Sequence, residues 1–170
     1  TEPQYFLGSN EYLKAISQSI SLPVLRKDFT VHEAQIYEAK LIGADAILLI
    51  TALLEESVLQ EYLATAKSIG LDVLTEVHDE AEIETALKAG AEIIGVNNRN
   101  LKDFTVDFNN SLRLKKLVPP GITFMAESGI KTRDDIIKLQ NAGADAVLIG
   151  ETLMRSGDAA GALKQLAGVE

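Results

Sequence analysis

The stretch Gly43-Ala-Asp-Ala-Ile-Leu-Leu-Ile50 carries the pattern that organises this chain: a glycine, a small or acidic residue, and a short apolar run. The pattern returns in segments that begin at Gly70, Gly90, Gly121 and Gly143, with spacings of 27, 20, 31 and 22 residues between successive glycines. An earlier segment, Leu22-Pro-Val-Leu-Arg-Lys-Asp28, has the same apolar character without the glycine. Because glycine adopts the left-handed conformation most readily, each glycine indicates a helix end and each apolar run predicts a strand.

Amphipathic segments lie between these predicted strands. From Glu55 to Ile69, apolar residues recur at helical spacing and form one stripe, made of Val58, Leu59, Tyr62, Leu63, Ala66 and Ile69. From Asp79 to Ala89, the corresponding stripe consists of Ile83, Ala86 and Leu87. Both segments therefore predict helices that pack one face against a sheet.

Two motifs indicate where helices begin. Asp79 is followed three residues later by Glu82, and Thr132 by Asp135, which is the spacing of a helix-capping pair. The strands are apolar along their length, as in parallel strands covered on both faces. We therefore expect six βα units with a parallel sheet, in a single domain spanning residues 1–170.

The number of units bears on the choice of architecture. A repeat of roughly 25 residues suits the (β/α)₈ fold of the TIM-barrel family, which typically needs about 250 residues. The 170 residues leave room for an incomplete barrel of about six βα units. On length alone, six parallel strands also fit an open doubly wound sheet.

Composition excludes several classes of protein. The chain is 46% hydrophobic and 24% charged, which is ordinary for a globular domain. It contains no cysteine, which excludes zinc ribbons, iron–sulfur clusters and thiol catalysis. Its net charge of −9 repels nucleic acid and anionic membranes. With no apolar run near the roughly 20 residues of a membrane span and a polar N-terminus, we expect a cytoplasmic protein without nucleic-acid or membrane partners.

Polar side chains interrupt four of the strands near their carboxyl ends: Lys27, Glu76, Asn97 and Glu127. By strand alternation each shares a face with the residue two positions earlier, namely Leu25, Leu74, Gly95 and Met125. In a barrel that face is the interior, and the carboxyl ends of the strands form the active-site mouth. We therefore expect the four groups to converge there, which favours the barrel. Solvated turn residues or a structural ring of salt bridges would produce the same pattern.

Two glycine-containing segments have the character of a phosphate cradle. Glu127-Ser-Gly-Ile130 precedes a helix predicted to start near Thr132, and Ile149-Gly-Glu-Thr152 follows the last strand. Backbone N–H groups of glycines and of helix N-termini favour bound anions, although ordinary turns use the same residues. Glu151 is itself an anion, so we expect it to contribute its N–H group while its side chain points away.

The remaining polar and apolar side chains have simpler interpretations. His32 and His78 are too few and too far apart for a metal site, and both are interpreted as structural or solvated. Arg26 and Asp28 are expected to face the helices or to cap one. Three apolar residues flank the polar strand ends and would serve as core or as a wall for an aromatic substrate: Phe6, Phe29 and Leu101.

Taken together, these motifs resemble the indole-3-glycerol phosphate synthase family, a decarboxylating lyase of tryptophan biosynthesis. The resemblance runs from end to end of the chain. The most specific segments, in order, are Lys27-Asp-Phe29, Asn97-Asn-Arg99 and Ala126-Glu-Ser-Gly-Ile130, supported by Thr1–Phe6, Gly43–Ile50, Leu74–Val77 and Leu148–Met154.

The resemblance implies a role for each matching residue. Lys27 would be the general acid, Glu76 the acidic partner in proton transfer, and Ser128 a substrate contact. Asn97 and Glu127 would orient the substrate and stabilise charge. Arg99 would anchor the substrate, within an apolar pocket formed by Phe6, Phe29, Leu48 and Leu101. Backbone groups of Gly129, Gly150 and Glu151 would bind the phosphate group. No cofactor and no metal are implied.

The implied reaction closes a ring in 1-(2-carboxyphenylamino)-1-deoxyribulose 5-phosphate, releases CO₂ and then water, and yields indole-3-glycerol phosphate. An ammonium group such as that of Lys27 can protonate the ribulose carbonyl oxygen as the ring closes. It can also offset the negative charge of the substrate carboxylate.

One departure from the family pattern has consequences. The family's first strand, first helix and most of its second strand have no counterpart in these residues, in agreement with six units where eight are needed. We therefore expect the 170 residues alone to lack a complete catalytic set and to be nearly inactive. We also expect self-association, because an unclosed barrel leaves two exposed strand edges.

Three other functions match parts of this sequence pattern. A non-catalytic barrel fragment would retain phosphate binding and self-association only. The phosphoribosylanthranilate isomerase type of barrel uses a cysteine, which this chain lacks. An open-sheet nucleotide binder is disfavoured because no Gly-x-Gly-x-x-Gly follows a strand.

Overall fold

Strands and helices alternate along the chain in the computed structural model, which describes residues 1–5 and 7–169. The strands are β1 Leu25–Arg26, β2 Ala46–Ile50, β3 Asp72–Val77, β4 Ile93–Asn97, β5 Thr123–Glu127 and β6 Ala146–Leu148. The helices are α1 Asn10–Ser19, α2 Ala34–Leu41, α3 Glu56–Ser68, α4 Glu80–Ala89, α5 Asn109–Leu114, α6 Arg133–Asn141, α7 Glu151–Arg155 and α8 Ala159–Ala167. Two short 3₁₀ turns, Thr51–Leu53 and Lys115–Leu117, complete the described elements. The six predicted strands are confirmed.

The chain divides into two compact units. Residues 1–76 and 84–92 form the first unit, and residues 77–83 together with the chain from residue 93 onward form the second. Helix α4 is divided between them. The expectation of one domain over residues 1–170 stays a prediction.

The first unit contains three parallel strands in the order β1-β2-β3. Ile47 and Leu49 of β2 are fully buried in a core with Ile36 of α2 and Leu59 of α3. All six residues of the predicted α3 stripe lie in this core or pack against it, so that prediction is confirmed: Val58, Leu59, Tyr62, Leu63, Ala66 and Ile69. The opposite face of β2, which carries Leu48 and Ile50, is buried as well.

Strand β1 is shorter than the sequence predicted, since it covers two residues of the segment from Leu22 to Asp28. Pro23 has no N–H group to pair with a neighbouring strand, which limits the strand before Leu25. After Arg26 the chain turns, and the Asp28 carboxylate accepts a hydrogen bond from the N–H of Phe29 at 2.8 Å. Arg26 itself is buried and donates to Glu38 Oε2 of α2 at 2.6 Å, which confirms that it faces the helices.

The second unit contains three parallel strands in the order β4-β5-β6. Phe124 and Ala126 of β5 pair in register with Ile94 and Val96 of β4, and all four are fully buried. Their neighbours along each strand point to the other face by alternation. That face ends in the polar pair Asn97 and Glu127.

The two predicted helix-start motifs are both present. Thr132 Oγ1 accepts a hydrogen bond from the N–H of Asp135, and Asp135 accepts one from the N–H of Thr132, which forms a capping box on α6. Asp79 Oδ1 accepts the N–H of Glu82 at 2.9 Å at the start of α4. The bonds at both helix starts satisfy N–H groups that have no partner within the helix.

Candidate active site

Four polar residues predicted to be catalytic lie at or just after the carboxyl ends of strands. Lys27 follows β1 directly and is half-buried, and Glu76 lies one residue before the end of β3. Asn97 and Glu127 are the last residues of β4 and β5. The exposed fractions of Glu76, Asn97 and Glu127 are 1%, 9% and 1%. Burial of two carboxyl-bearing residues at strand ends separates them from solvated turn residues and favours a functional interpretation.

In the first unit, register places Glu76 among apolar side chains. Glu76 pairs with Ile50, and two residues earlier Leu74 pairs with Leu48. By alternation these residues lie on the face of the sheet opposite the helix core. Leu25 pairs with Ala46 on the same face, and Lys27 follows the end of β1, where the chain turns. A charge on this apolar face would interact more strongly with an ionic group than it would in water.

In the second unit, Asn97 and Glu127 are in-register partners on adjacent strands. Residues paired in this way have Cα atoms about 5 Å apart. Asn97 Oδ1 accepts a hydrogen bond from the N–H of Arg99 at 3.0 Å, which turns the chain beyond β4. The structure therefore brings an amide and a carboxyl group together at one level of the sheet, as predicted for this pair.

Ser128 and Gly129 form a tight turn between β5 and α6. Both have positive φ, 63° for Ser128 and 77° for Gly129. A Cβ atom on Gly129 would lie 2.6 Å from Val106 Cγ1, so this position has neither the conformation nor the space for a larger residue. The Ile130 carbonyl that follows accepts a hydrogen bond from Thr152 Oγ1 of α7 at 2.6 Å. Helix α7 is thereby joined to the turn predicted to bind phosphate.

The capping box of α6 also affects the pKa of the Asp135 carboxyl group. Burial alone would raise the pKa of Asp135, but hydrogen bonds from the N–H groups of Lys131 and Thr132 and from the Thr132 hydroxyl lower this pKa below its usual value. Asp135 therefore stays ionised at neutral pH and holds the start of α6, whose N-cap Thr132 lies three residues beyond Gly129.

Arg99 and Glu151 form an ion pair, with Arg99 Nη2 2.9 Å from Glu151 Oε2. The other carboxylate oxygen of Glu151 lies 2.9 Å from Nε of Arg155. The Glu151 carboxylate is thus held between two arginines, and the expectation that it points away from a bound phosphate stays a prediction. Gly150, an exposed residue, immediately precedes α7. Its role and that of the Glu151 N–H group in binding phosphate stay predictions.

The predicted apolar pocket residues have different environments. Leu48 is fully buried in β2, whereas Leu101 is 39% exposed in the loop after β4. Phe29 is half-buried and its ring meets that of Tyr5 edge to face, with centroids 6.0 Å apart. Phe6 lies outside the described residues. A common apolar wall formed by these residues stays a prediction.

Asn98 is the site-proximal residue that the sequence analysis missed. It follows Asn97, is 3% exposed, and bonds to the ends of β5 and α5. The signal for Asn98 in the sequence was the doubled asparagine. Adjacent residues of a strand point to opposite faces, so only one of the two asparagines could belong to the predicted site.

Both histidines have structural roles, as predicted. His32 Nδ1 accepts the N–H of Ala34 at 3.1 Å near the start of α2. His78 Nδ1 lies 3.0 Å from Glu82 Oε2, which also accepts the backbone N–H of His78. Among the described residues, no group of three histidine or acidic side chains could hold a metal ion. No helix in this part of the chain is long and apolar enough to cross a membrane.

Comparison with solved structures defines the class of fold. The 3-hexulose-6-phosphate synthase of Salmonella typhimurium superposes with a TM-score of 0.80 at 18% identity, covering 94% of this chain and 78% of that one. The chain therefore has a fold of the (β/α) barrel class, with six of its strands, and the open-sheet alternative is not supported.

Comparison with sequences identifies the family. Residues 1–166 match the family described as indole-3-glycerol phosphate synthase. The enzyme of that name from Ruminiclostridium cellulolyticum is 58% identical over 168 residues, which cover 99% of this chain and 65% of the relative. That from Endomicrobium trichonymphae is 57% identical over 166 residues, covering 98% and 64%. This chain belongs to the indole-3-glycerol phosphate synthase family, and it spans about 65% of the length of these curated relatives.

Proposed function

We propose that this sequence supplies most of the active site of an indole-3-glycerol phosphate synthase. The substrate would be 1-(2-carboxyphenylamino)-1-deoxyribulose 5-phosphate. The observation that carries the proposal is the buried, in-register pair Asn97 and Glu127, followed directly by the left-handed Ser128–Gly129 turn. An ordinary barrel core has no need of an amide and a carboxyl group at 9% and 1% exposure.

Proton transfer is assigned to the first unit. Ring closure joins the aromatic ring to the ribulose carbonyl carbon, and the Lys27 ammonium group donates a proton to the carbonyl oxygen as that bond forms. Loss of CO₂ then leaves the bonding electrons in the ring system, and loss of water completes the indole. Glu76, which lies on the apolar face with Leu48 and Leu74, exchanges protons in these steps.

Binding and charge stabilisation are assigned to the second unit. Arg99 anchors the substrate through an anionic group, which must compete with Glu151 for the guanidinium. Asn97 and Glu127 orient the substrate, and Ser128 contacts it. The N–H groups of Gly129, Gly150 and Glu151 bind the phosphate. Phe6, Phe29, Leu48 and Leu101 contact its apolar part.

A chimaera tests this proposal. These 170 residues would be joined to the part of the Ruminiclostridium cellulolyticum relative that they do not match, and formation of indole-3-glycerol phosphate would be followed by fluorescence. We expect turnover by the chimaera and little or none by the 170 residues alone. Lys27→Met should lower the rate of the chimaera by about 10²–10⁴-fold, because proton donation is lost.

Lys14→Met is the matched control, since Lys14 is an exposed residue of α1. It should leave the rate unchanged. A folded chimaera without turnover, or one in which Lys27→Met and Lys14→Met behave alike, would contradict the proposed function.

We also propose that the 170-residue chain self-associates and that the enzyme works in the cytoplasm, in keeping with a biosynthetic role. Support for self-association comes from β1 and β6. Within the described residues, β1 pairs with β2 only and β6 with β5 only. Unpaired N–H and C=O groups on such edges can pair with another chain.

A further inference from the structure

Asn98 lies at the junction of three segments of the second unit. Its N–H donates to the Glu127 carbonyl at 2.9 Å, and its own carbonyl accepts the N–H of Asp107 at 2.9 Å. Its side-chain Nδ2 donates to the Ser128 carbonyl at 3.1 Å. Its Oδ1 accepts from both the N–H and the hydroxyl of Ser111 in α5, at 2.9 and 2.8 Å. Both ends of a nearly fully buried amide are thus occupied.

The orientation of this amide is fixed by Ser111. The backbone N–H of Ser111 can only donate, so the atom facing it must be the oxygen of Asn98. The Nδ2 group is therefore directed at the Ser128 carbonyl. Ser111 itself is fully buried, so water does not compete for its hydrogen bonds to the amide.

The bond to Ser128 acts on a strained residue. Ser128 has a φ of 63°. For any residue other than glycine this left-handed conformation is unfavourable in free energy, and it persists only where the surroundings enforce it. The two donors of Asn98 bind the consecutive carbonyls of Glu127 and Ser128, on either side of this φ angle. Asn98 is thus well placed to hold the left-handed turn.

The same residue closes the loop that carries Arg99. Residues 98–107 form a small hairpin, in which Arg99 bridges Val106 and the N–H of Asn100 donates to Thr105 at 2.8 Å. The Asn98–Asp107 bond closes its base, and Val106 packs over Gly129. One buried amide therefore joins the Arg99 hairpin to the Ser128–Gly129 turn.

We propose that Asn98 is a positioning residue that fixes the Ser128–Gly129 turn relative to the Arg99 hairpin, so that both hold one anionic substrate. This proposal rests on the proposed function, which assigns substrate contacts to Arg99, Ser128 and Gly129. Loss of the Nδ2 donor should relax the turn and weaken substrate binding, while the reacting groups on the other strands remain in place.

Two variants of the chimaera test this role. Asn98→Asp keeps an acceptor for Ser111 and loses the donor to Ser128, and we expect KM to rise about tenfold with a much smaller change in kcat. When the introduced carboxyl group is protonated, it can again donate to Ser128. The defect should therefore shrink as the pH falls. Asn98→Ala should show a similar rise in KM without that pH dependence. Because alanine carries no charge, this rise would exclude repulsion of the anionic substrate as the cause.

Controls address charge and folding. Asn109→Asp adds the same charge at an exposed residue and should leave KM unchanged. Should the Asn98 variants fail to fold, Ser111→Ala removes one of the two bonds that orient the amide and should raise KM about threefold. A fall in kcat at unchanged KM in these variants would indicate a merely structural role and overturn the proposal.

A measurement on the 170-residue chain separates this proposal from the proposed function. The backbone ¹³C shifts of Ser128 and Gly129 report their φ angles without any turnover. They should move on Asn98→Asp at neutral pH and return on acidification. Unchanged shifts would contradict the positioning role even if the chimaera is active, and an inactive wild-type chimaera would contradict only the proposed function.

Discussion

Two stretches of the molecule begin with the same four residues, Gly43-Ala-Asp-Ala46 and Gly143-Ala-Asp-Ala146, and lead into β2 and β6. Both glycines are left-handed, with φ of 97° and 87°. Both aspartates exchange hydrogen bonds with a residue in or beside the preceding strand. Asp45 accepts the N–H of Val24 at 2.8 Å and donates its own N–H to the Val24 carbonyl at 2.9 Å, and Asp145 does the same with Phe124 at the same distances.

The strands that follow differ in burial. Ile47, Leu48 and Leu49 of β2 are fully buried, whereas Val147 and Leu148 of β6 and the next residue, Ile149, are half-buried. Strand β2 pairs with β1 and β3, while β6 pairs only with β5 among the described strands. The local motif therefore sets where a strand begins and how it docks to the previous one, and the number of neighbours sets how much apolar surface it buries.

The largest test of this comparison is truncation of matched leucines. Leu48→Ala, at the position that corresponds to Leu148, should lower the free energy of unfolding by about 3 kcal/mol, because the side chain is fully buried and its loss opens a cavity. Leu148→Ala should cost about 1 kcal/mol, since part of that side chain is already exposed. Urea unfolding followed by circular dichroism measures both. Equal losses would show that β6 is as well covered as β2.

A second test concerns the exposed side of β6. If another copy of the chain covers this edge, light scattering should give a mass above 18.4 kDa that increases with concentration. Val147→Lys should reduce that mass toward the monomer, because a lysine on an edge strand opposes further pairing. Ile137→Lys, on an exposed position of α6, is the control with the same added charge. A monodisperse monomer of the unsubstituted chain would contradict self-association.

The smallest expected effect distinguishes the two aspartates. Asp145→Ala leaves the N–H of fully buried Phe124 without its carboxylate acceptor and should cost about 1.5 kcal/mol. Asp45→Ala frees the N–H of half-buried Val24, which water can reach, and should cost about 0.5 kcal/mol. Thermal unfolding of both variants gives the order. The reverse order would mean that the bond to Val24 holds β1 in place more than local burial suggests.

Much of the fold and part of the candidate site followed from sequence pattern. Apolar spacing located the α3 stripe, and capping pairs located the starts of α4 and α6, because both depend on residues within a few positions of one another. The alternation of side chains along a strand likewise predicted that Asn97 and Glu127 share a face of the sheet. The ion pair between Arg99 and Glu151 joins residues 52 positions apart, and no local pattern indicates it.

The hydrogen bonds of Asn98 also join residues that are distant along the chain, so no local pattern indicates them. Its bonds reach Ser111 and Ser128, 13 and 30 residues away, and they decide the orientation of one amide. By itself the sequence determined the repeating βα units, the left-handed glycines and the polar strand ends, because short-range sterics and periodicity dictate them. Only the tertiary structure decided which strands are fully buried and which polar side chains hold one another, because packing and hydrogen bonding depend on neighbours distant along the chain.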